Sequence, residues 1–437
     1  MTDTVYRFVS VDLLPVMAAV FAAVSCGILG NFLVLRRLSL MGDAVSHSVL
    51  PGLVIAFIVA GSRAPGVMFL GAAIAGIATV ALVEVVKRVG RVDPGAAMGV
   101  VFSVLFALGV VLIEQAAARH VDLDADCVLY GQLETLFWVP PQSWSAFWAP
   151  ETLTMVPAGV WTLMGMTIVA VVFVVALFKE LRIAAFDGAL ATTQGFHAGF
   201  LHALLMVLVA AATVASFEAV GSILVVAMLV CPAATARLLT DRLHSQIIVS
   251  VAVAIVSAVG GYIAATAVPA AFGADSINAA GSIAVVSGII VVTAALASPS
   301  HGVIAKAIAH RRLSRSMGID DVVATVYRAE EAGAPSVTRA TLRGPHGAVA
   351  DAVGRGLVQE ATPGVFSLTE TGRAAAADVV RRHRLWESYL VREAGMAPDH
   401  VHDVAEQLEH LPVAPARTGD EDPHGKRIPP GASGRAR

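Results

Sequence analysis

Two ionisable side chains stand at the start of an apolar segment near the N-terminus. Asp43 and His47 are four residues apart, and the apolar segment continues to Ala60. On a helix this spacing places a carboxylate and an imidazole on one face, where a bilayer would solvate both poorly. A bound divalent cation would offset that cost, so the pair predicts a cation site. The alternative is that the two side chains cap a helix and reach the membrane interface.

The ligand types limit which cation fits. A carboxylate oxygen with an imidazole nitrogen suits Mn²⁺, Fe²⁺ or Zn²⁺ better than Mg²⁺ or Ca²⁺. A site with only two strong side-chain ligands should bind a cation weakly, so that the cation can also leave. No thiolate accompanies them, because Cys26, Cys127 and Cys231 share no CxxC spacing and are expected to be buried, inert thiols.

A second group of potential metal ligands lies near the C-terminus, where histidines and carboxylates recur one helical turn apart. It consists of His383, Glu387, His402, Glu406, Glu409 and His410. Asp321, on an upstream helix, could add a further oxygen. Any one such pair is more simply a solvated pair on an amphipathic helix, but six ligands in register favour a metal site.

Composition places these residues in a membrane protein with a polar C-terminal part. Hydrophobic residues make up 57% of the chain, charged residues 14%, and the mean hydropathy is +0.75. Residues 1–300 hold 28 of the 63 charges. We predict an all-α polytopic domain followed by a small cytosolic α+β domain. The predicted parts are a transmembrane domain 1–300, a linker 301–318, a winged-helix-like domain 319–378, a helical metal-binding domain 379–412 and a disordered tail 413–437.

Hydropathy predicts about nine transmembrane helices. The predicted spans are 13–35, 44–61, 66–86, 97–114, 155–178, 198–215, 217–236, 246–268 and 281–298. Arginines and lysines follow every second span, which predicts an N-terminus outside and a C-terminus inside the cell.

Three connecting segments carry polar groups of open significance. The acidic, tryptophan-containing stretch 115–154 is expected outside, where it could attract cations or meet a delivery protein, or be a plain solvated loop. Residues 183–197 form a short amphipathic insertion, with Asp187 as N-cap and Gly195 as stop, and could dock a partner or simply connect two spans. Glu218 could be an outer-gate ligand or an exposed loop carboxylate.

Over roughly residues 11–300 the chain resembles permeases of the metal-cation ABC transporter family, the manganese, zinc and iron importers of the ABC-3 group. The matching segments are 35–52, 129–131, 186–195 and 220–237. The resemblance implies that Asp43 and His47 contribute to the site of the translocated metal. It also implies that 186–195 is a coupling helix seated on an ATPase subunit. The coupling residues would be Phe186, Asp187, Gly188, Ala191 and Gly195.

The chain has no phosphate-binding loop of the Gly-x-x-x-x-Gly-Lys-Ser/Thr type, so we expect a transporter subunit rather than an enzyme, without a permanently bound cofactor. A separate cytosolic ATP-binding subunit, an extracytoplasmic metal-binding protein and a second permease chain are the implied partners. The implied location is the plasma (inner) membrane of a prokaryote.

Residues 319–412 resemble metal-responsive repressors of the diphtheria-toxin-repressor family. Residues 319–372 have the winged-helix outline of helix, connection, helix and hairpin, with a turn at 362–364. The resemblance assigns His383, Glu387 and His402 to an ancillary site. It assigns Glu406, Glu409 and His410 to a primary site. Glu406 replaces the cysteine of iron-type members, and an oxygen there favours Mn²⁺.

The DNA-reading part departs from the repressor pattern. Residues 337–356 are short for two helices and contain Gly344, Pro345 and Gly347. Arg339, Arg343 and Arg355 could contact phosphates, but three arginines are too few to read an operator, which favours a metal-sensing regulatory domain over a working repressor.

We therefore predict an ATP-driven metal importer with a metal-sensing tail that lowers transport when cytosolic metal binds. The alternatives are a membrane-tethered or released metal-dependent transcription regulator, for which nucleic-acid binding stays open, and an ion-coupled secondary carrier.

Overall fold

The computed structural model describes most of the chain. The described residues are 6, 8–36, 38, 44–45, 48–61, 65–117, 131, 133–138, 150–273, 277–342, 347–411, 413–416 and 419–430. The chain forms two compact units, Met1–Ala305 and Lys306–Arg437. We call the described parts of these units the membrane bundle and the C-terminal domain.

The membrane bundle is helical throughout its described residues. A π-helical turn, Phe8–Asp12, leads into the first helix, and a 3₁₀ turn lies at Leu133–Thr135. The helices are α1 Leu13–Leu35, α2 Leu50–Ala60, α3 Pro65–Gly90, α4 Pro94–Ala117, α5 Pro150–Thr154, α6 Ala158–Ala176, α7 Phe178–Phe186, α8 Gly188–Thr193, α9 Ala198–Leu239, α10 Leu243–Ala271 and α11 Ala279–Ala297.

Eight segments among the described residues are long and apolar enough to cross a membrane. They are Phe8–Leu35, Gly66–Gly90, Pro94–Gln115, Ala158–Ala176, Ala198–Phe217, Ala219–Leu239, Leu243–Ala271 and Ala279–Ala297. The prediction of about nine differs at 44–61, where the described apolar helix is only the 11-residue α2. The mostly helical membrane architecture is confirmed.

Helix α1 is the centre of the bundle, and it packs against α6, α9 and α10. Small residues permit the contact, because a Cβ on Gly30 would lie 1.9 Å from the carbonyl oxygen of Leu229. Polar groups cross the same interface, since Gln246 Nε2 donates to Asn31 Oδ1 at 3.0 Å and both residues are fully buried. Cys26 is buried and Cys231 half-buried, and both are free thiols, as predicted; Cys127 lies outside the described residues.

Helix α9 is two membrane-crossing segments joined at Gly221, whose φ of 75° is in the left-handed region. Ser216 contacts Cys26, and Pro232 lies beside Gly27, the next residue of α1. In a straight helix Ser216 and Pro232 would be about 24 Å apart. The two halves of α9 therefore fold back beside each other, which agrees with the predicted pair of spans 198–215 and 217–236.

The C-terminal domain combines four helices with a small antiparallel sheet. The helices are α12 Val303–Glu331, α13 Ala348–Gly354, α14 Glu370–Arg392 and α15 His402–Leu408, and the strands are β1 Val337–Thr338, β2 Val358–Thr362 and β3 Val365–Leu368. The sheet order is β1-β3-β2, with Val358 opposite Leu368 and Val337 opposite Phe366. The β2–β3 turn contains Gly364 at a φ of 79°, where the sequence predicted it.

The structure corrects two predicted boundaries of this domain. Residues 303–318, expected to be a linker, form the first half of α12. The segment 419–430, expected to be disordered, is ordered. Glu421 and Arg427 form an isolated antiparallel β-bridge, and Ile428 is buried. It is held by Arg384 of α14, whose guanidinium donates to the carbonyl oxygen of Arg427 at 2.5 Å. Composition could not reveal an anchor that lies so far away in the sequence.

Candidate metal centres

Asp43 and His47 lie outside the described residues, but their neighbours in sequence are deep in the bundle. Ala44, Val45 and Val49 are buried. Val45 and Val49 pack with Ala72 of α3 and with Ala210 and Val214 of α9 in one apolar cluster. The described residues of the stretch 44–49 therefore lie in the interior of the bundle.

Hydroxyl groups lie beside this segment. Ser48 Oγ and Thr79 Oγ1 are 2.7 Å apart, and both residues are fully buried. Thr213 of α9 is also fully buried, and its Oγ1 has no hydrogen-bond partner among the described residues. An orphaned buried oxygen destabilises a fold unless something else contacts it. The hydroxyls of Ser48 and Thr79 are therefore polar groups within the otherwise apolar interior beside residues 44–49.

The predicted coupling segment has the local structure that its sequence suggested. Asp187 Oδ1 accepts hydrogen bonds from the N–H groups of Ala189 and Leu190, at 3.0 and 2.9 Å, and so caps α8. Gly195 ends the segment at a φ of 86°. Ala191 is buried against Ala184 of α7 and Leu201 of α9.

The outer surface of the same segment is apolar. Phe186 is 62% exposed and Leu190 is 46% exposed. Gly188, between them in sequence, is the first residue of the capped helix α8. Exposed apolar side chains beside a capped helix form a surface suited to a protein partner.

In the C-terminal domain, three predicted ligands converge. His383 Nε2, Glu387 Oε1 and His402 Nδ1 form a triangle with edges of 3.0 to 3.1 Å. Neighbouring ligands of an octahedral ion with bonds of about 2.1 Å are about 3.0 Å apart, so the triangle fits a metal ion. We call these three residues the first centre. His383 and Glu387 are buried, whereas the His402 side chain is 51% exposed and leaves access from solvent.

Asp321, Glu409 and His410 form a second group of potential ligands, which we call the second centre. His410 Nε2 lies 3.3 Å from Asp321 Oδ1. Glu409 joins the two centres, because its Oε2 is 2.6 Å from His383 Nδ1 and also accepts from Arg328 at 3.1 Å. A carboxylate on the far nitrogen of a histidine orients the ring and leaves the other nitrogen for a metal.

The charged groups shift one another's pKa values. Burial raises the pKa of Glu387, but contacts with His383 and His402 outweigh it and bring the pKa to about 2. Burial lowers the pKa of His383, but Glu387 and Glu409 outweigh it, and the pKa lies above its ordinary value. The Glu387 carboxylate of the first centre is therefore ionised at neutral pH.

The pKa of His410, in the second centre, is shifted strongly upward. Asp320 and Asp321 raise the pKa of His410 to about 9, against the lowering effect of burial. In the absence of metal a proton therefore holds this imidazole against its two carboxylates at neutral pH. A metal ion at the second centre must displace that proton.

One predicted ligand does not join the group, and three residues near the centres were missed. Glu406 is half-buried on α15 and is not one of the residues whose donor atoms cluster in the two centres. Asp320 lies 3.5 Å from His410 Nδ1. His424 Nε2 lies 3.9 Å from Glu387 Oε1.

The missed His424 had a local signal in the sequence. Asp422 Oδ1 accepts from the N–H groups of His424 and Lys426, at 2.9 and 2.8 Å, in a turn typical of an Asp followed closely by a Gly. The third missed residue, Arg328, had no local signal in the sequence, because its contact with Glu409 joins α12 to the end of α15.

Of the remaining predicted residues, Glu134 has a structural role, and most of the others lie outside the described residues. The described parts of 115–154 include Glu134, whose Oε1 accepts from the N–H of Ala279 at 2.7 Å and so caps α11. Asp122, Asp124, Asp126 and Arg343 lie outside the described residues, as does the side chain of Glu218.

Comparison with known proteins covers both units. A family model described as ABC 3 transport family matches residues 13–137 and 146–298. A second family model, described as iron dependent repressor, metal binding and dimerisation domain, matches residues 369–412, which contain the first centre together with Glu409 and His410.

Individual relatives are membrane proteins of metal transport systems. The manganese transport system membrane protein MntD of Bacillus subtilis is 39% identical over 67% of this chain and 93% of its own length. The zinc transport system membrane protein TroD of Treponema pallidum is 33% identical over 72% of this chain and 81% of its own length. The solved structure of PsaBC from Streptococcus pneumoniae in complex with Fab matches with a TM-score of 0.52 at 29% identity, over 66% of this chain and 91% of that chain.

Proposed function

The chain belongs to the ABC 3 transport family, and from that premise we propose that it is the membrane subunit of an ATP-driven importer of a divalent transition metal. Membership of this family favours ATP-driven transport over an ion-coupled carrier. The relatives named for manganese and zinc support a transition-metal cargo, with Mn²⁺ favoured. The chain is a transporter subunit rather than an enzyme, and ATP hydrolysis belongs to a separate subunit.

Asp43 and His47 are the proposed ligands for the metal in transit. The observation that carries this proposal is the burial of their sequence neighbours against α3 and α9, where the hydroxyls of Ser48 and Thr79 form a buried polar contact. Asp43→Ala should abolish metal uptake, by at least about a hundredfold, because it removes the only charged oxygen of the pair.

The uptake test uses the complete transporter in proteoliposomes, with radioactive Mn²⁺ and ATP. Asp93→Asn is the matched control, because Asp93 is an exposed carboxylate that accepts from the N–H of Gly95 beside α4. Normal uptake by a membrane-inserted Asp43→Ala protein would refute the site.

The segment 186–195 is the proposed contact with the ATP-binding subunit. The exposed side chains of Phe186 and Leu190 support it, since they lie beside a helix whose start is fixed by Asp187. Phe186→Ala with Leu190→Ala should lower uptake and co-purification of the ATPase together. Val175→Ala on α6, which is 72% exposed within a membrane-crossing segment, is the control.

The C-terminal domain is proposed to sense metal and to lower transport when metal binds. The residues that would hold the ion are His383, Glu387 and His402 in the first centre, and Asp321, Glu409 and His410 in the second. The triangle of the first centre supports this proposal, because His383 Nε2 is already directed at the other two donor atoms. A bound divalent ion would offset the negative charge of the clustered carboxylates.

His402→Ala is the sharpest test of this regulation. It should weaken metal binding to the C-terminal domain by about 10- to 100-fold and leave uptake less repressible by internal metal, with uptake at low metal unchanged. His400→Ala is the matched control, because His400 is close by in sequence and its side chain is 77% exposed. Equal repression in both proteins would overturn the sensing role.

A DNA-binding role has less support from the described residues. The segment between β1 and β2 contains the seven-residue α13 and a three-residue 3₁₀ turn, Arg339–Thr341. Asp351 of α13 is paired with Arg315, so this helix presents a carboxylate rather than a basic surface.

We propose a plasma membrane location with a cytoplasmic C-terminal domain. The proposed partners are an extracytoplasmic metal-binding protein and a second permease chain.

A further inference from the structure

A cleft of 550 Å³ opens where four helix ends of the bundle meet. Helix α1 ends at Leu35, α3 ends at Gly90, α4 begins at Pro94 and α9 begins at Ala198. Four ends at one level mark a boundary of the membrane-crossing region. The cleft is lined at this boundary by Arg36, Glu84, Lys87, Arg88 and His202.

The charges at this end of the cleft do not balance. Glu84 serves two cations, because its carboxylate lies 2.8 Å from Lys87 Nζ and 2.7 Å from Arg88 Nε. Arg36 has only neutral partners among the described residues: its guanidinium donates to His202 Nδ1 at 2.8 Å and to the carbonyl oxygen of Ala184 at 3.1 Å. Among the described residues that line the cleft, three cations and one carboxylate leave a net charge of +2.

One donor of Arg36 is left over. Its Nε is buried and has no hydrogen-bond partner among the described residues. A buried N–H of a charged group without an acceptor is costly, and the cost is greater beside a lipid phase than in water. An anion in the cleft would supply the acceptor and the missing negative charge.

The rest of the cleft is apolar, which restricts what that anion can be. Ile77 and Val80 of α3, Met98 of α4 and Met206 and Val207 of α9 form its walls. Ile77 is 46% exposed and Val207 is 36% exposed. A small hydrated anion gains nothing from such walls, whereas a molecule with an anionic head and an apolar chain contacts both parts.

We propose that this cleft binds an anionic phospholipid, whose phosphate lies against Arg36 and Lys87 and whose acyl chain follows the apolar walls of α3 and α9. Basic pockets between membrane helices are a recurring way to hold such head groups. The site needs neither metal nor ATP, so it does not depend on the proposed transport function.

The test is lipid binding to the purified full-length chain in detergent, measured by native mass spectrometry with dioleoyl phosphatidylglycerol and dioleoyl phosphatidylcholine. The wild type should retain phosphatidylglycerol at least about tenfold more tightly. Lys87→Gln and Arg36→Gln should each weaken that binding about fivefold, and Glu84→Gln should strengthen it by a similar factor. Arg237→Gln should change nothing, because Arg237 is paired with Asp241 and lies outside the cleft.

Three results would overturn the proposal. Equal retention of the two lipids would show that charge does not select the ligand. Unchanged binding by Lys87→Gln, which alters only a partly exposed side chain and so is expected to fold, would place the lipid elsewhere. Displacement of phosphatidylglycerol by millimolar inorganic phosphate would make the cleft a site for a free anion.

Discussion

The membrane bundle and the C-terminal domain differ in the contacts that join their own elements. In the bundle, backbones touch: a Cβ on Gly261 of α10 would lie 2.3 Å from the Cα of Ile283 on α11. In the C-terminal domain, buried charges meet: Arg384, only 4% exposed, binds Glu331, Asp422 and the carbonyl of Arg427. The contrast follows from the surroundings, because lipid gives apolar helices no reason to associate unless they fit closely.

The difference also separates the two proposed kinds of metal site. Around the stretch proposed for transport, the described neighbours are aliphatic side chains and the hydroxyls of Ser48 and Thr79, so we expect a cation there to have few strong ligands and to leave easily. In the C-terminal domain the donor atoms are already 3.0 to 3.1 Å apart, and Glu409 orients the His383 ring. Preorganised ligands retain an ion, as a sensor must.

The largest stability effect is expected for Arg384→Ala. It leaves the buried carboxylate of Asp422 and the carboxylate of Glu331 without their shared cation, and it should cost about 3 kcal/mol. Hydrogen exchange of the full-length protein should show lost protection in α14 and in 419–430, with the membrane bundle unchanged.

Arg382→Ala is the control for that measurement. Arg382 lies two residues earlier on α14 and pairs at 3.3 Å with Asp378, whose side chain is 44% exposed. A pair this open to solvent should contribute about 0.5 kcal/mol. If the two variants were equally destabilised, buried charge would not be what holds this domain.

The corresponding test of the bundle uses two adjacent glycines of α10. Gly261→Ala forces a methyl group against the backbone of Ile283 and should cost about 2 kcal/mol, seen as a lower unfolding temperature in detergent. Gly260→Ala meets nothing within 4 Å and should be neutral or slightly stabilising, since alanine favours helix. Equal effects at both positions would mean that close backbone contact does not hold α10 to α11.

The elements of both regions were largely predictable, because hydropathy and one-turn spacing are local signals. The apolar windows gave eight of the spans, and one-turn spacing paired His383 with Glu387. The resemblance to metal-responsive repressors, not the spacing, grouped His402 with them. The helix through 303–318 was also readable, since that stretch contains no proline and its first glycine is Gly318.

The contacts between distant residues were not predictable. Arg384 is neutralised from positions 331 and 422, and Glu409 meets both His383 and Arg328, so each network joins three separate segments. Sequence spacing reports only which residues share one helix face. It therefore found the ligands but missed Asp320 and the ordered turn at 419–430.

The smallest effect, on pH dependence, tests whether charge also stabilises the second centre. The pKa of His410 is about 9 in the folded protein and about 6.5 when unfolded. A raised pKa stabilises the fold fully below about pH 6.5, and this contribution is lost as the pH rises through 9. With a chelator present, resistance of the C-terminal domain to urea should therefore fall over this range, by about 1 kcal/mol at most.

Asp321→Asn should flatten that pH profile, because it removes one of the two carboxylates that raise the pKa of His410. Asp399→Asn should leave the profile unchanged, since Asp399 and His400 are an exposed pair 3.8 Å apart. Urea titration of the full-length protein followed by brief proteolysis reports the domain separately from the bundle. A steep profile in Asp321→Asn would show that another group causes the pH dependence. The ion pair of His410 with Asp321 would then not stabilise the second centre.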